Sequence, residues 1–140
     1  MVLVDSDNEL LLDCARKPFP QEVEFIISAL EAGPPPIADR HKVRRRSYRV
    51  RASLRLFSDL PDTPPRIVFT RNVSPQAMGF LSDHPLPLSH GGTIHIAAPG
   101  GSVMRIACTV LRCRQAAPGW FEGAIYFNRP QCCFDTEQFA

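Results

Sequence analysis

The apolar residues at the start of this chain recur with the period of a helix. Between residues 20 and 33 they occupy positions i, i+3, i+4 and i+7, namely Val23, Ile26, Ile27 and Leu30. Pro20 and Glu22 suit a first helical turn, and Gly33 followed by three prolines ends the pattern. We therefore expect one amphipathic helix. Its apolar stripe must be covered either by the rest of the chain or by a second copy.

From Tyr48 the period changes to two, which is typical of half-buried strands. Apolar residues alternate with polar ones, the apolar set being Tyr48, Val50, Ala52, Leu54 and Leu56 and the polar set Arg49, Arg51, Ser53 and Arg55. We expect the arginine face to meet solvent. Further strands are predicted at RIVFT (66–70), TIHIAA (93–98), VMRIACTVLRC (103–113) and WFEGAIYF (120–127). The connections are too short for crossover helices, so a small antiparallel barrel or sandwich is expected.

These patterns divide the chain into two parts. Residues 1–36 hold a lead without sustained period and the amphipathic helix, and residues 37–140 form the β domain. Residues 37–46 are expected to be a loose connector, and the tail DTEQF to form one helical turn beginning at Asp135 or Thr136. No apolar run approaches the roughly 20 residues that span a bilayer, and the N-terminus begins acidic, unlike a signal peptide. We expect a soluble, cytoplasmic protein.

Charge and cysteine content exclude several classes of function. The formal net charge of +2 is too small for a protein that coats nucleic acid. The five cysteines are an odd number in a chain without an export signal, which favours reduced thiols, and their spacings do not match zinc-binding pairs. The sequence contains no nucleophile elbow, phosphate-binding loop or HExxH motif. We expect neither an enzyme nor a metalloprotein.

Arginine is concentrated in one stretch, HKVRRRSYRVRASLRLF, at residues 41–57. Seven of the fourteen arginines lie between Arg40 and Arg55, whereas the whole chain has two lysines. The planar arginine fork suits phosphate oxygens and the O6/N7 edge of guanine, and it stacks on a base face. The candidate ligand residues are Arg44, Arg45 and Arg49. The alternative is a solvated basic face or a patch that pairs with an acidic partner, and Arg51 and Arg55 are expected to be structural.

A second polar segment, RNVSPQAMGF at residues 71–80, directly follows the predicted strand RIVFT. Asn72 and Ser74 are two residues apart, a spacing that directs both side chains to one side of an extended chain. An amide can pair with a base edge, and a hydroxyl can bind a phosphate or hold the loop. The alternative is a turn in which these side chains bond only to the backbone. Together with the arginines, the segment suits a guanine nucleotide.

The order and spacing of the two segments resemble the PilZ domain, whose signatures are RxxxR and [D/N]xSxxG. The resemblance covers roughly residues 40–139. By match, Arg45 and Arg49 form the RxxxR pair, and Arg44 is the additional arginine that often precedes it. The resemblance implies a six-stranded antiparallel β-barrel that binds the bacterial second messenger cyclic di-GMP, with the arginines on guanine edges and phosphates. It implies no other cofactor.

In the second motif, Asn72 and Ser74 fill the first two places and Ala77 stands where the family has glycine. Gly79 lies two residues too late to replace it. If the position needs left-handed backbone, alanine would cost about 1 kcal/mol, or about five-fold in affinity. The ligand-binding residues implied by the resemblance are therefore Arg44, Arg45, Arg49, Asn72, Ser74 and Ala77.

Three functions follow from this sequence. The first is a cyclic di-GMP receptor whose connector closes on the ligand and reorients the helix, signalling to a downstream protein. The second is a PilZ-like adaptor that binds no nucleotide and forms a homodimer through the helix stripe. The third is a small nucleic-acid-binding barrel, which is disfavoured because no aromatic residues interleave Arg49, Arg51 and Arg55.

Overall fold

Six antiparallel strands close into a barrel, and one helix packs on its outside. The computed structural model describes residues 20–32 and 46–135. The elements are α1 (Gln21–Ala32), β1 (Arg46–Ser47), β2 (Arg51–Leu56), β3 (Arg66–Val73), β4 (Ala77–Ser82), β5 (Gly91–Ala97), β6 (Val103–Ala117), β7 (Trp120–Phe127) and a 3₁₀ turn (Cys132–Phe134). Neighbouring strands follow the order β3, β2, β5, β6, β7 and β4, and β4 pairs again with β3, which closes the barrel. The predicted fold class is confirmed.

Strand β4 has no counterpart in the sequence patterns, although the family resemblance implied a sixth strand. Its segment AMGFLS is buried at all six positions, so the polar and apolar alternation that reveals a half-buried strand is missing. Met78 and Phe80 point into the barrel core, and Leu81 points outward to lie under α1. The strand is thus covered on both faces.

Strand β2 follows the predicted alternation on its inner face. Ala52, Leu54 and Leu56 are buried in the core. The expectation of a solvent-facing polar side is only partly correct, because Ser53 is also buried. The guanidinium of Arg51 lies 5.4 Å from the centre of the Phe69 ring. These contacts agree with a structural role for this part of the arginine stretch.

A 3₁₀ turn lies just before the segment in which the C-terminal helical turn was predicted. The 3₁₀ turn spans Cys132–Phe134, and Asp135 ends it with an extended backbone. Phe134 is fully buried and stacks on Phe127 at 5.9 Å, which explains why the turn forms where an aromatic side chain can enter the core. Residues 136–139 of the predicted turn lie outside the described residues, as do the lead of residues 1–18 and the predicted boundary at residues 36 and 37.

Helix α1 packs its apolar stripe against the outside of the barrel. Val23 and Ile27 are fully buried there against Phe69 and Leu81. The indole N–H of Trp120 donates a hydrogen bond to Glu22 Oε1 at 2.9 Å. The stripe is thus covered by the chain's own barrel, which is the first of the two arrangements expected from the sequence. No helix among the described residues is long and apolar enough to cross a membrane.

Candidate functional site

The structure brings Arg46 and Ser47, which follow the candidate ligand residues Arg44 and Arg45, beside the second polar segment. Strand β1 pairs with the end of β3, where Arg46 lies opposite Val73 and Ser47 opposite Asn72. Opposite residues in an antiparallel pair lie about 4.5 to 5.5 Å apart between Cα atoms. Arg44 and Arg45 lie outside the described residues. The chain that follows them nevertheless reaches the barrel at the Asn72 end of β3.

Arg49 is fixed at this place by backbone and side-chain partners. Its Nη1 donates a hydrogen bond to the Arg71 carbonyl oxygen at 2.9 Å. Both Nη atoms lie 3.3 Å from the Glu31 carboxylate, and Nε lies 3.8 Å from Glu24 Oε2. The second arginine of the RxxxR pair therefore already has two carboxylate partners, both from α1. An anionic ligand at Arg49 would have to displace them or share the guanidinium with them.

Asn72 is oriented by the strand that faces it. It lies opposite Gly79 of β4, whose N–H donates a hydrogen bond to Asn72 Oδ1 at 3.1 Å. A Cβ atom on Gly79 would lie 2.7 Å from that oxygen, closer than real contacts allow. Sequence reasoning noticed Gly79 as misplaced for the motif and missed this contact, which follows from the register of the β3–β4 hairpin. Gly79 leaves the space that the Asn72 side chain occupies.

Ser74 closes the turn between β3 and β4. Its side chain is buried, and its Oγ accepts hydrogen bonds from the backbone N–H groups of Gln76 at 3.3 Å and Ala77 at 3.2 Å. The Ser74 N–H in turn donates to the Ala77 carbonyl at 2.9 Å. This is the turn geometry that the sequence left open as the alternative. The visible effect of Ser74 is to hold the hairpin that places Asn72 opposite Gly79.

Ala77 occupies the glycine position of the motif without backbone strain. It begins β4 in regular register opposite Tyr126 of β7. Within residues 20–32 and 46–135, Ser89 is the one non-glycine residue with positive φ. Ala77 therefore needs no left-handed backbone, and the strain considered from the sequence does not arise. Tyr126, which shares its face of the sheet, is 46% exposed.

A group of four charged residues lies beside this site, and sequence reasoning missed it. Glu122 of β7 is fully buried on the outer face, where it lies in register between Leu81 of β4 and Arg114 of β6. Its Oε2 lies 3.3 Å from Arg112 Nη2 and 3.6 Å from Arg71 Nη1, and its Oε1 accepts a hydrogen bond from Arg114 Nε. We call Arg71, Arg112 and Arg114 the arginine cluster. The alternating arginines of LRCR and the single carboxylate of WFEGAIYF were the available signals.

Comparison with known proteins agrees with this geometry. The family model of the PilZ domain matches residues 43–134 of the chain. The match includes the RxxxR segment, the second motif and all six barrel strands. No curated protein and no solved structure shows significant similarity to the chain.

Proposed function

The chain belongs to the PilZ domain family, a family of cyclic di-GMP receptors, and from this we propose that it binds cyclic di-GMP and changes conformation on binding. One observation carries the proposal. The pairing of β1 with the end of β3 places Ser47 opposite Asn72, so that the two family motifs meet on the outside of the barrel. A ligand that contacts both motifs at once would find them within the span of one small molecule.

The donor groups at this place match the acceptors of guanine and phosphate. Since the Gly79 N–H points at the Asn72 side chain, the atom facing it must be the amide oxygen, and the NH₂ group remains to donate outward. Arginine and an amide NH₂ are both donors, whereas O6, N7 and phosphate oxygens are acceptors. Arg45 and Arg49 would supply the charged donors, with Arg44 as a third. Ser74 and Ala77 would shape the turn and the surface beneath the ligand.

The ion pairs of Arg49 supply a physical route from ligand binding to a change of conformation. Glu24 and Glu31 form ion pairs with the Arg49 guanidinium, and their side chains are 43% and 41% exposed. Exposed pairs of this kind contribute about 0 to 1 kcal/mol each, whereas a charge-assisted hydrogen bond to a ligand contributes about 1.5 to 3 kcal/mol. A ligand phosphate would therefore replace the two carboxylates. Helix α1 would then lose the ion pairs with Arg49 and keep its apolar contact and the hydrogen bond between Trp120 and Glu22.

Titration calorimetry with cyclic di-GMP tests the proposal. We expect the wild type to bind, and we expect Arg45→Ala and Arg49→Ala each to weaken binding by about ten- to a hundred-fold. Arg105→Ala is the matched control, because Arg105 is exposed on β6 opposite His95 of β5. Absence of heat with the wild type at micromolar concentration would overturn the proposal. Hydrogen exchange should show ligand-dependent protection of residues 40–49.

A second function, an adaptor that binds no nucleotide, is favoured by one observation. Arg49 and Ser74 both have partners within the chain, so neither requires a ligand for its hydrogen bonds. On this proposal the barrel and α1 form a fixed surface for another protein. An adaptor would show the same hydrogen exchange in residues 40–49 with and without cyclic di-GMP, which separates it from the receptor.

A further inference from the structure

The arginine cluster carries more positive charge than its buried carboxylate can neutralise. We propose that Arg71, Arg112 and Arg114, held in place by Glu122, form a second anion-binding site that takes a phosphodiester group of the nucleotide ligand. This inference rests on the proposed function and extends it across the outer face of the barrel. It assigns ligand contacts to residues that lie in neither family motif.

The geometry leaves most of the cluster's donors available. Each guanidinium has five N–H donors, so the three arginines have about fifteen in total. The two oxygens of Glu122 accept from only a few of them. The Arg71 Nε atom is buried and has no hydrogen-bond partner among the described residues. Three positive charges surround one negative charge, so two positive charges remain for a bound anion. A local excess of positive charge on this face attracts anions.

The cluster is continuous with the site at the two motifs. Arg71 lies in the bulge of β3 immediately before Asn72, and its carbonyl accepts hydrogen bonds from the Tyr48 N–H at 3.2 Å and from Arg49 Nη1 at 2.9 Å. One residue thus contacts the RxxxR segment through its backbone and Glu122 through its side chain. A ligand bound at Asn72 would lie against the cluster.

Strand register gives the distance between the two ends of this surface. Asn72, Gly79, Ala124 and Arg112 lie opposite one another on four neighbouring strands. Strands lie about 4.8 Å apart, so Asn72 and Arg112 are separated by roughly 14 Å across the face. The two positions between them hold Gly79 and Ala124, which are small and buried, so this row itself contributes no large side chain between Asn72 and Arg112. A ligand with two bases and two phosphates can extend over such a span.

Solvent access separates the cluster from a purely internal ion network. The side chains of Arg112 and Arg114 are 46% and 62% exposed, whereas Glu122 is fully buried. The carboxylate therefore holds the arginines from beneath, and a ligand can reach them from solvent without displacing it. Glu122 is a positioning residue in this arrangement, and the arginines are the groups that would touch the ligand.

The test replaces one charge at a time at the two exposed arginines, so that in each variant two arginines still pair with Glu122. Arg112→Gln and Arg114→Gln remove the charge and keep an amide, and Arg105→Gln is the matched control on the same strand. Calorimetric titration with cyclic di-GMP should give about ten-fold weaker binding for the two cluster variants, the loss of one charged contact, and wild-type affinity for the control. The salt dependence of binding should also be shallower in the cluster variants. Thermal melting of each variant checks that it remains folded.

The outcomes separate this inference from the function on which it rests. If the wild type and both cluster variants bind cyclic di-GMP with equal affinity and equal salt dependence, the receptor stands and the cluster is structural only. If the wild type does not bind cyclic di-GMP, the proposed function fails, and inorganic pyrophosphate then tests the cluster alone. If pyrophosphate shifts the arginine Nε–Hε NMR signals of the wild type saturably, and causes no such shift in Arg112→Gln, the result would support an anion site. If pyrophosphate leaves the signals of the wild type unchanged, the result would overturn it.

Discussion

Both Nη atoms of Arg49 lie 3.3 Å from the carboxylate of Glu31, which joins the beginning of the barrel to the last turn of α1. Glu24 lies seven residues earlier, two helical turns along the same face, and approaches the same guanidinium at 3.8 Å. A carboxylate in the last turn of a helix is unfavourable for the helix dipole, and pairing with Arg49 offsets this. The helix therefore supplies two anions to the arginine that the family motif assigns to the ligand.

Removing these two carboxylates should strengthen ligand binding. In the double variant Glu24→Gln, Glu31→Gln, neither of these two side chains competes with the ligand phosphate for Arg49. Two exposed ion pairs of about 0.5 kcal/mol each correspond to about five-fold tighter binding of cyclic di-GMP, measured by calorimetry. Glu22→Gln is the control, because Glu22 accepts a hydrogen bond from Trp120 and is not paired with Arg49. Equal affinity of the double variant and the wild type would show that α1 does not compete with the ligand.

The docking of α1 depends on its buried face, and a pair of neighbouring residues can test this. Ile27 is fully buried, whereas Phe25 is 77% exposed. Ile27→Ala should weaken docking by about 2 to 5 kcal/mol, the usual cost of such a truncation in a packed site. The fluorescence of Trp120, the single tryptophan, reports on docking because its indole contacts Glu22 and Phe69. We expect a red shift of its emission in Ile27→Ala and unchanged emission in Phe25→Ala. A red shift of equal size in both variants would contradict the docked arrangement.

The features that the sequence predicted correctly share a simple physical origin. The stripe of α1 and the inner face of β2 each have one side in a core and one side out of it, so burial appears as a period along the chain. Strand β4 is buried on both faces, and no period marks it. A local pattern reveals an element only when the element has two different sides.

The site was predictable only in part, because its side chains are brought together by register. The pairing of β1 with β3 brings the two motif segments together. Their order and spacing in the sequence had indicated a common site. Glu122 meets Arg71 across three strands of the barrel, and no local pattern records which residues of β3, β4 and β7 lie in line. The pairing of Arg49 with Glu31 crosses from one element to another in the same way. These contacts required the structure.

The hairpin between β3 and β4 predicts that Gly79→Ala weakens ligand binding and that Ala77→Gly leaves it nearly unchanged. Gly79→Ala would place a Cβ atom 2.7 Å from Asn72 Oδ1, so the amide must leave its position. We expect about ten-fold weaker binding of cyclic di-GMP, the loss of one ligand hydrogen bond and its orientation. Ala77→Gly restores the family glycine at a position without positive φ, and we expect an affinity within about two-fold of the wild type and a stability about 0.5 to 1 kcal/mol lower. Much tighter binding by Ala77→Gly would show that the alanine obstructs the ligand.

The stability of the barrel at alkaline pH should depend on Tyr48. Burial, together with the nearby Cys133 thiol, raises the pKa of Tyr48 to about 12, from 10.0 for an ordinary tyrosine. Its hydroxyl donates a hydrogen bond to the Ala97 carbonyl. The unfolded chain loses this proton near pH 10 and the folded chain near pH 12, so between these values the unfolded state binds fewer protons. The contribution of Tyr48 is therefore complete below pH 10 and decreases as the pH rises toward 12.

Urea unfolding at pH 8 and pH 11 measures this dependence. Tyr48→Phe should be less stable than the wild type at pH 8, because the Ala97 carbonyl loses its donor, by about 0.5 to 1.5 kcal/mol. The difference should narrow at pH 11, since the wild type alone loses the Tyr48 contribution there. Tyr126→Phe removes the other tyrosine of the chain and controls for general effects of the substitution. A constant difference between the wild type and Tyr48→Phe at both pH values would show that the Tyr48 proton is not linked to folding.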